Sequence, residues 1–301
     1  MSPRVLARIA LVLGVALAAW ALLAVLRRSA ADAPVAFTLP HVAADSVETI
    51  EYLGRQDTIR LARQAGHWTV NGHPAAPKVV EAFFHAMADT TSRSELVAQS
   101  PESHTRLGVD SAAGKHLTVA GGGKRMLDLW FGNRGPDFEG FYVRRAGDNR
   151  VFLLRGTFAD LTVQPLDDWR EKQVLALPTD SVTRIDVVRG KKSYSLARTG
   201  TAWTLAQGAA VDSSRVARFL GQFKELRATG FPTAAEADSA RFAPAERKVT
   251  LFGAGGSPLA VVALDSLPSL FVLRIGDGGE LYTLDRRMAD LVAPTDSSLK
   301  K

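Results

Sequence analysis

Leu61-Ala62-Arg63-Gln64-Ala65-Gly66-His67-Trp68-Thr69-Val70 is written a second time, 135 residues later, as Leu196-Ala197-Arg198-Thr199-Gly200-Thr201-Ala202-Trp203-Thr204-Leu205. Both copies read Leu-Ala-Arg, four variable residues with a glycine among them, then Trp-Thr and an aliphatic residue. The same offset carries Asp45-Ser46-Val47 onto Asp180-Ser181-Val182 and Ile50 onto Ile185. The chain is internally duplicated, and the two copies extend outward from these ten residues.

In each copy the residues before the Trp-Thr pair alternate apolar and polar. Ile50 with Tyr52, Ile59 with Leu61, and Trp68 with Val70 each share a strand face, a period of two that marks half-buried strands. After Pro77, the first-turn residue of a helix, the period lengthens. Val79, Val80, Phe83, Phe84 and Met87 form one helical stripe. Strands return at Leu117 and Val119, at Leu127 to Phe131, and from Phe141, before a short helix at Phe158-Ala159-Asp160-Leu161.

The second copy replays the order. Its opening strands hold Ile185, Val187, Tyr194, Leu196, Trp203 and Leu205, and its helix stripe is Val216, Phe219, Leu220, Phe223 and Leu226, with Asp212 or Ser213 as N-cap. Met288-Ala289-Asp290-Leu291 answers Phe158-Ala159-Asp160-Leu161. The expected class is α+β: two tandem repeats of mostly antiparallel sheet, each packed with one long helix. They occupy residues 41–172 and 173–294, and residues 295–301 are expected to be a frayed polar tail. Trp68, Trp203, Phe83, Phe219 and Trp169 are the expected structural anchors, the two repeated tryptophans filling the helix–sheet contact.

Composition narrows the function classes. The net charge is +6, yet Arg4, Arg8, Arg27 and Arg28 all precede the first acidic residue and carry four of those charges. A body so nearly neutral lacks the concentrated cationic face of a nucleic-acid binder, so no nucleic-acid partner is expected. With no cysteine, disulfides, thiolate metal sites and cysteine nucleophiles are excluded. Residues 9–26 carry no charge, and eighteen helical residues rise roughly 27 Å, close to a bilayer's hydrocarbon thickness. Residues 1–28 therefore read as a membrane anchor with the bilayer as partner, residues 29–40 as its tether, and the body as facing the periplasm or extracytoplasmic side of an inner membrane. The run exceeds a usual signal-peptide core, which favours an uncleaved anchor over a cleaved leader.

Motifs for chemistry are sparse. All six histidines, His41, His67, His73, His85, His104 and His116, fall in the first copy, and Glu81 with His85 is the one metal-like spacing, without a second histidine a turn away. Gly121-Gly122-Gly123-Lys124 lacks the Ser or Thr of a phosphate loop and joins two strands. Asp167 and Asp168 are adjacent, which two carboxylates flanking a substrate would not be; they read as a cap on the turn at Trp169, with Arg170 as ion-pair partner. No Gly-x-Ser-x-Gly elbow occurs. No catalytic, cofactor or metal residue is assigned, and the chain is expected not to be an enzyme.

Gly66 with Trp68-Thr69-Val70, then Val143-Arg144, Val151-Phe152-Leu153 and Leu166-Asp167-Asp168-Trp169-Arg170-Glu171-Lys172, in that order, resemble the bacterial domain-of-unknown-function family 4340. The resemblance implies a single N-terminal membrane helix, an exported duplicated α+β body, and a setting beside ABC-type permeases and gliding-like auxiliary transport proteins. It supplies no catalytic residues. The function it implies is an accessory or scaffold subunit of such an assembly, with an ABC-type permease or auxiliary membrane protein as partner. A binding protein holding a ligand or glycan between the repeats is the alternative, and a hydrolase with a site on loops such as residues 132–140 is a third.

Overall fold

The computed structural model describes residues 14–20, 23, 36–55, 57–89, 93–161, 164–206 and 208–301. Three sheets dominate it. Nine strands form the largest: β1 (Thr49–Leu53), β2 (Thr58–Gln64), β3 (His67–Val70), β4 (His73–Pro74), β5 (Arg93–Ala98), β6 (Lys115–Gly121), β7 (Lys124–Arg134), β8 (Phe141–Arg145) and β9 (Val151–Arg155). Their order is β4-β3-β2-β1-β6-β7-β8-β9-β5. A two-stranded ribbon joins β10 (Gln173–Leu175) to β14 (Leu226–Arg227). The third sheet holds β11 (Arg184–Arg189), β12 (Lys192–Thr199), β13 (Ala202–Leu205), β15 (Arg247–Phe252), β16 (Pro258–Ser266), β17 (Phe271–Ile275) and β18 (Tyr282–Leu284), in the order β13-β12-β11-β15-β16-β17-β18. That order runs in the same sense as β3-β2-β1-β6-β7-β8-β9.

Alternation sets the register. Ile50 faces Val119 and Tyr52 faces Leu117 across β1 and β6, while Leu117 faces Leu129 across β6 and β7, so one pleat face is continuously apolar. Gly122 and Gly123, at φ +56° and +71°, form the two-residue turn between β6 and β7, the left-handed pair that matches the twist of a hairpin. Gly121 just before it has no room for a side chain: an added Cβ would lie 1.9 Å from the Ser46 carbonyl oxygen.

The helix Pro77–Ala88 buries Val80, Phe83, Ala86 and Met87. Phe83 meets Tyr52 edge-on at 6.4 Å between centroids and lies 5.6 Å from Phe158, which in turn lies 6.0 Å from Phe131. Burying each such ring contributes about 1.5–3 kcal/mol. In the C-terminal core, the helix Ser213–Gly221 is capped by the Asp212 carboxylate, which accepts from the Ser214 and Arg215 amides. It presents Val216, Phe219 and Leu220 to Ile185, Val187, Leu251 and Leu264.

The expected fold class is corrected by this architecture. There are three sheets, not two repeats each packed under one long helix, because the helices are too short to cover so much sheet. The second stripe is helical for nine residues only. Part of the far face of the first sheet is covered by the helix Ser103–Leu107 and the turn at Gly108-Val109, where Leu107, Val109 and Val151 pack with Trp130 and Tyr142. The tail is also ordered. Asp296–Leu299 is a helix capped by Thr295, Leu299 is 2% exposed, and Lys300 bridges to Val211.

The expected membrane span is corrected as well. Most of residues 9–26, and of the proposed anchor and tether, lie outside the described residues; residues 14–20 and 23 are helical, with Val15, Leu17, Trp20 and Leu23 exposed. Among the described residues no helix is long and apolar enough to cross a membrane, since seven residues rise about 10 Å against the roughly 30 Å required. Single-pass placement in the inner membrane does not stand on this structure.

By packing, the chain divides into two compact units, residues 1–60 with 82–163 and residues 61–81 with 164–301. The hairpin β3–β4 thus belongs with the C-terminal residues. The Ala76 amide donates to the Trp169 carbonyl at 2.8 Å and the Glu171 amide to the Pro74 carbonyl at 2.9 Å.

Candidate functional site

Residues 135–140, between β7 and β8 in the first unit, are held at every turn. The Gly135 amide donates to the Gly140 carbonyl at 3.1 Å, and the Phe138 amide to the Gly135 carbonyl at 3.0 Å. Asp137 accepts from the Glu139 amide at 3.1 Å and from Arg155 Nη2 at 2.8 Å. The Arg155 donation, more than any other contact, holds the Asp137 carboxyl below the usual carboxylate range. Arg134 lies over the Phe141 ring at 4.7 Å and donates to the Phe138 carbonyl at 3.2 Å. Gly140, at φ +88°, lets the chain pass so close to β9 that a Cβ would fall 2.3 Å from the Leu154 carbonyl oxygen.

At the tip, this scaffold presents Phe138. Its φ is +60° and the residue is 76% exposed. Left-handed backbone costs a non-glycine residue roughly 1–2 kcal/mol, and an exposed phenyl ring recovers none of that by burial. Arg134, Asp137, Glu139 and Arg155 surround it with charge. An apolar knob inside a polar rim has the anatomy of a protein-docking anchor. A sequence reading could have found it from Pro136-Asp137, a turn opening, followed by a phenylalanine with no apolar neighbour.

The expected anchors lie apart from this loop. Phe83, Phe219 and Trp169 are buried. Trp68 and Trp203 are half-buried on β3 and β13, with Trp203 packed against the C-terminal core. Arg170 does not pair with Asp167 or Asp168: Lys172 takes Asp168 at 2.9 Å. Arg170 instead pairs with Glu280 and stacks on the Phe231 ring at 3.5 Å, while His73 Nδ1 meets the same Glu280 oxygen at 2.7 Å. Trp169 is buried directly before it, so Arg170 projects on the other side of the short turn.

The histidines disperse. His104 bonds the Asn149 carbonyl at 2.9 Å. His116 bonds Asp128 at 2.5 Å and stacks on Trp130 at 4.2 Å. Among the described residues no group of three or more His, Asp or Glu could hold a metal ion. At three of the four ends of the two large sheets a single bridge pair sits on or beside the edge strand, Ala75 with Arg170 next to β4, Ala210 with Thr204 on β13 and Gly230 with Thr283 on β18, while β5 closes the other end of the first sheet.

The class these features define is an antiparallel-sheet protein carrying a rigid, phenylalanine-tipped surface loop. The chain belongs to the family described as domain of unknown function (DUF4340), whose family model matches residues 68–244, more than half the chain. The match spans both the loop of Phe138 and the Asp167-Asp168-Trp169-Arg170 run. No curated protein and no solved structure matches the chain.

Proposed function

We propose that the chain is a non-catalytic accessory subunit that docks on a partner protein through the Phe138 loop. The observation that carries this reading is the exposed ring of Phe138 on left-handed backbone. Folding gains nothing from a phenyl group there, whereas a partner's apolar pocket would. The transport-assembly setting implied by the family resemblance supplies the class of partner, a subunit of an ABC-type transport system.

A photo-crosslinking amino acid placed at position 138, and for comparison at exposed Glu102 of the same unit, tests it in cells. Position 138 is expected to give one discrete adduct that peptide sequencing assigns to a transport subunit, and position 102 none. Phe138→Gly is expected to abolish docking while leaving stability unchanged or raised by up to about 1 kcal/mol, because relief of left-handed strain is offset by glycine's larger unfolded entropy. Adducts of equal yield at both positions, or a Phe138→Gly variant that melts earlier, would overturn the reading.

A further inference from the structure

Independently of the loop, the second unit carries a groove of about 710 Å³ between the end of β11, the helix Ser213–Gly221 and the helices Arg286–Val292 and Asp296–Leu299. Its floor is apolar, formed by Phe219, Leu291, Pro294 and Leu299. Its walls carry four arginines, Arg189, Arg215, Arg218 and Arg287, against one acidic residue, Asp290. Two of the four are engaged. Arg189 Nη2 meets Asp290 Oδ1 at 2.9 Å, an oxygen shared with Arg247 at 2.8 Å. Arg215 donates to the Ser298 and Lys300 carbonyls at 3.2 and 2.9 Å and lies 3.6 Å from Asp212. Arg218 and Arg287 are exposed and have no carboxylate partner among the described residues.

The fold does not demand these charges. In the sequence register that places Phe83 on Phe219, Arg215 and Arg218 fall on Val79 and Ala82 of the first helix. In the register that places Ile50 on Ile185, Arg189 falls on Gly54, and where Ala159 meets Ala289, Arg287 falls on Thr157. The same framework is built without a cation at any of the four positions. Guanidinium groups offer flat two-pronged donation that suits carboxylates. Arg218 and Arg287 stand with that capacity unspent above an apolar floor.

We infer that this groove binds an acidic peptide segment of a partner protein, its carboxylates on Arg218 and Arg287 and its aliphatic side chains on Phe219, Leu291 and Leu299. The volume falls within the range of small-ligand and short-segment sites. A bare phosphate would satisfy the arginines and leave the apolar floor wet, so the floor argues for a ligand with both characters.

The experiment titrates the full chain, by fluorescence anisotropy at low salt, with a labelled ten-residue peptide alternating Glu and Leu, and with its Gln–Leu counterpart. Unlabelled inorganic phosphate serves as competitor. The Glu–Leu peptide is expected to bind at least about tenfold more tightly than the neutral one and to weaken as salt is raised. Arg218→Glu with Arg287→Glu is expected to weaken it at least about tenfold more without moving the melting temperature, since both side chains are exposed. The gentler Arg218→Gln with Arg287→Gln serves if the charge reversal disturbs folding. Equal binding of the neutral peptide, indifference to the arginine variants, or full displacement by low-millimolar phosphate would overturn the inference. The last result would mark a simple anion site.

Discussion

The two helices that begin at Pro77 and Ser213 bury matching side chains and carry unlike ones beside them. Val80, Phe83 and Met87 face inward on the first, as Val216 and Phe219 do on the second, followed by Phe223 just past its end. Beside that stripe, half-buried Val79 and Ala82 on the first correspond in sequence to exposed Arg215 and Arg218 on the second. Likewise every histidine lies in the first half of the chain, and every arginine of the groove in the second. Interior positions answer to packing density, which punishes a change of even one methylene. Surface positions answer only to what they touch, so the differences between the two halves are where function has room to differ.

The largest test of this contrast replaces the two central rings. Phe83→Ala and Phe219→Ala are each expected to cost about 3–5 kcal/mol in denaturant unfolding. Phe83 should be at the upper end, because it is 0% exposed and packs with the rings of Tyr52, Phe84 and Phe158, while Phe219 is 3% exposed and packs with that of Phe223. A clearly greater loss at Phe219 would break the equivalence of the two interiors.

The turn glycines give a sharper, smaller comparison. Gly121→Ala is expected to cost about 2–3 kcal/mol, since the new methyl collides with backbone at Ser46. Gly253→Ala, whose nearest neighbours are Leu259 side-chain atoms 3.1–3.3 Å away, is expected to cost about 1 kcal/mol or less, because a flexible side chain gives way. Equal losses, read as shifts in melting temperature, would show that the two turns are under the same constraint.

The smallest effect is the pH dependence of one ion pair in the first half. Arg150 donates three bonds to the Asp148 carboxylate, and this pairing, with the Arg150 amide, brings the carboxyl down to about 2. A depressed carboxyl stabilises the fold above its unfolded value and loses that contribution as pH falls through its folded value. Arg150→Gln should therefore differ from the parent at neutral pH, and the difference should fade between about pH 4 and pH 2. A difference that persists unchanged at pH 2 would show that Arg150 acts by packing.

Much of the strand framework is legible because its period of two survives in Ile50-x-Tyr52, Leu117-x-Val119 and Leu127-x-Leu129-x-Phe131. The glycines between β6 and β7 mark their turn unaided. β5 is not legible: Arg93-Ser94-Glu95 reads as solvent-facing, and its edge position is what permits those charges. The helix Ser103–Leu107 is too short to show a period, so the packing on the sheet's far face leaves no pattern in the sequence. Thr295 to Lys301 looks like a polar end because one buried side chain, Leu299, carries its attachment. Arg170 has carboxylates two and three residues away, yet its partner is 110 residues distant. The groove leaves no local trace, since its arginines are scattered from 189 to 287 and meet only when β11 and three helices assemble.

Glu280 sits 16% exposed under the guanidinium of Arg170, with His73 on the same oxygen. Anyone dissecting this chain between its two written copies, at 172 and 173, would take away both of those partners and the strand that carries His73. The orphaned carboxylate would then have to hydrate or accept a proton. A fragment beginning there should come out of expression sticky and half-formed, while one that keeps residues 61–81 on the same polypeptide has what it needs to close.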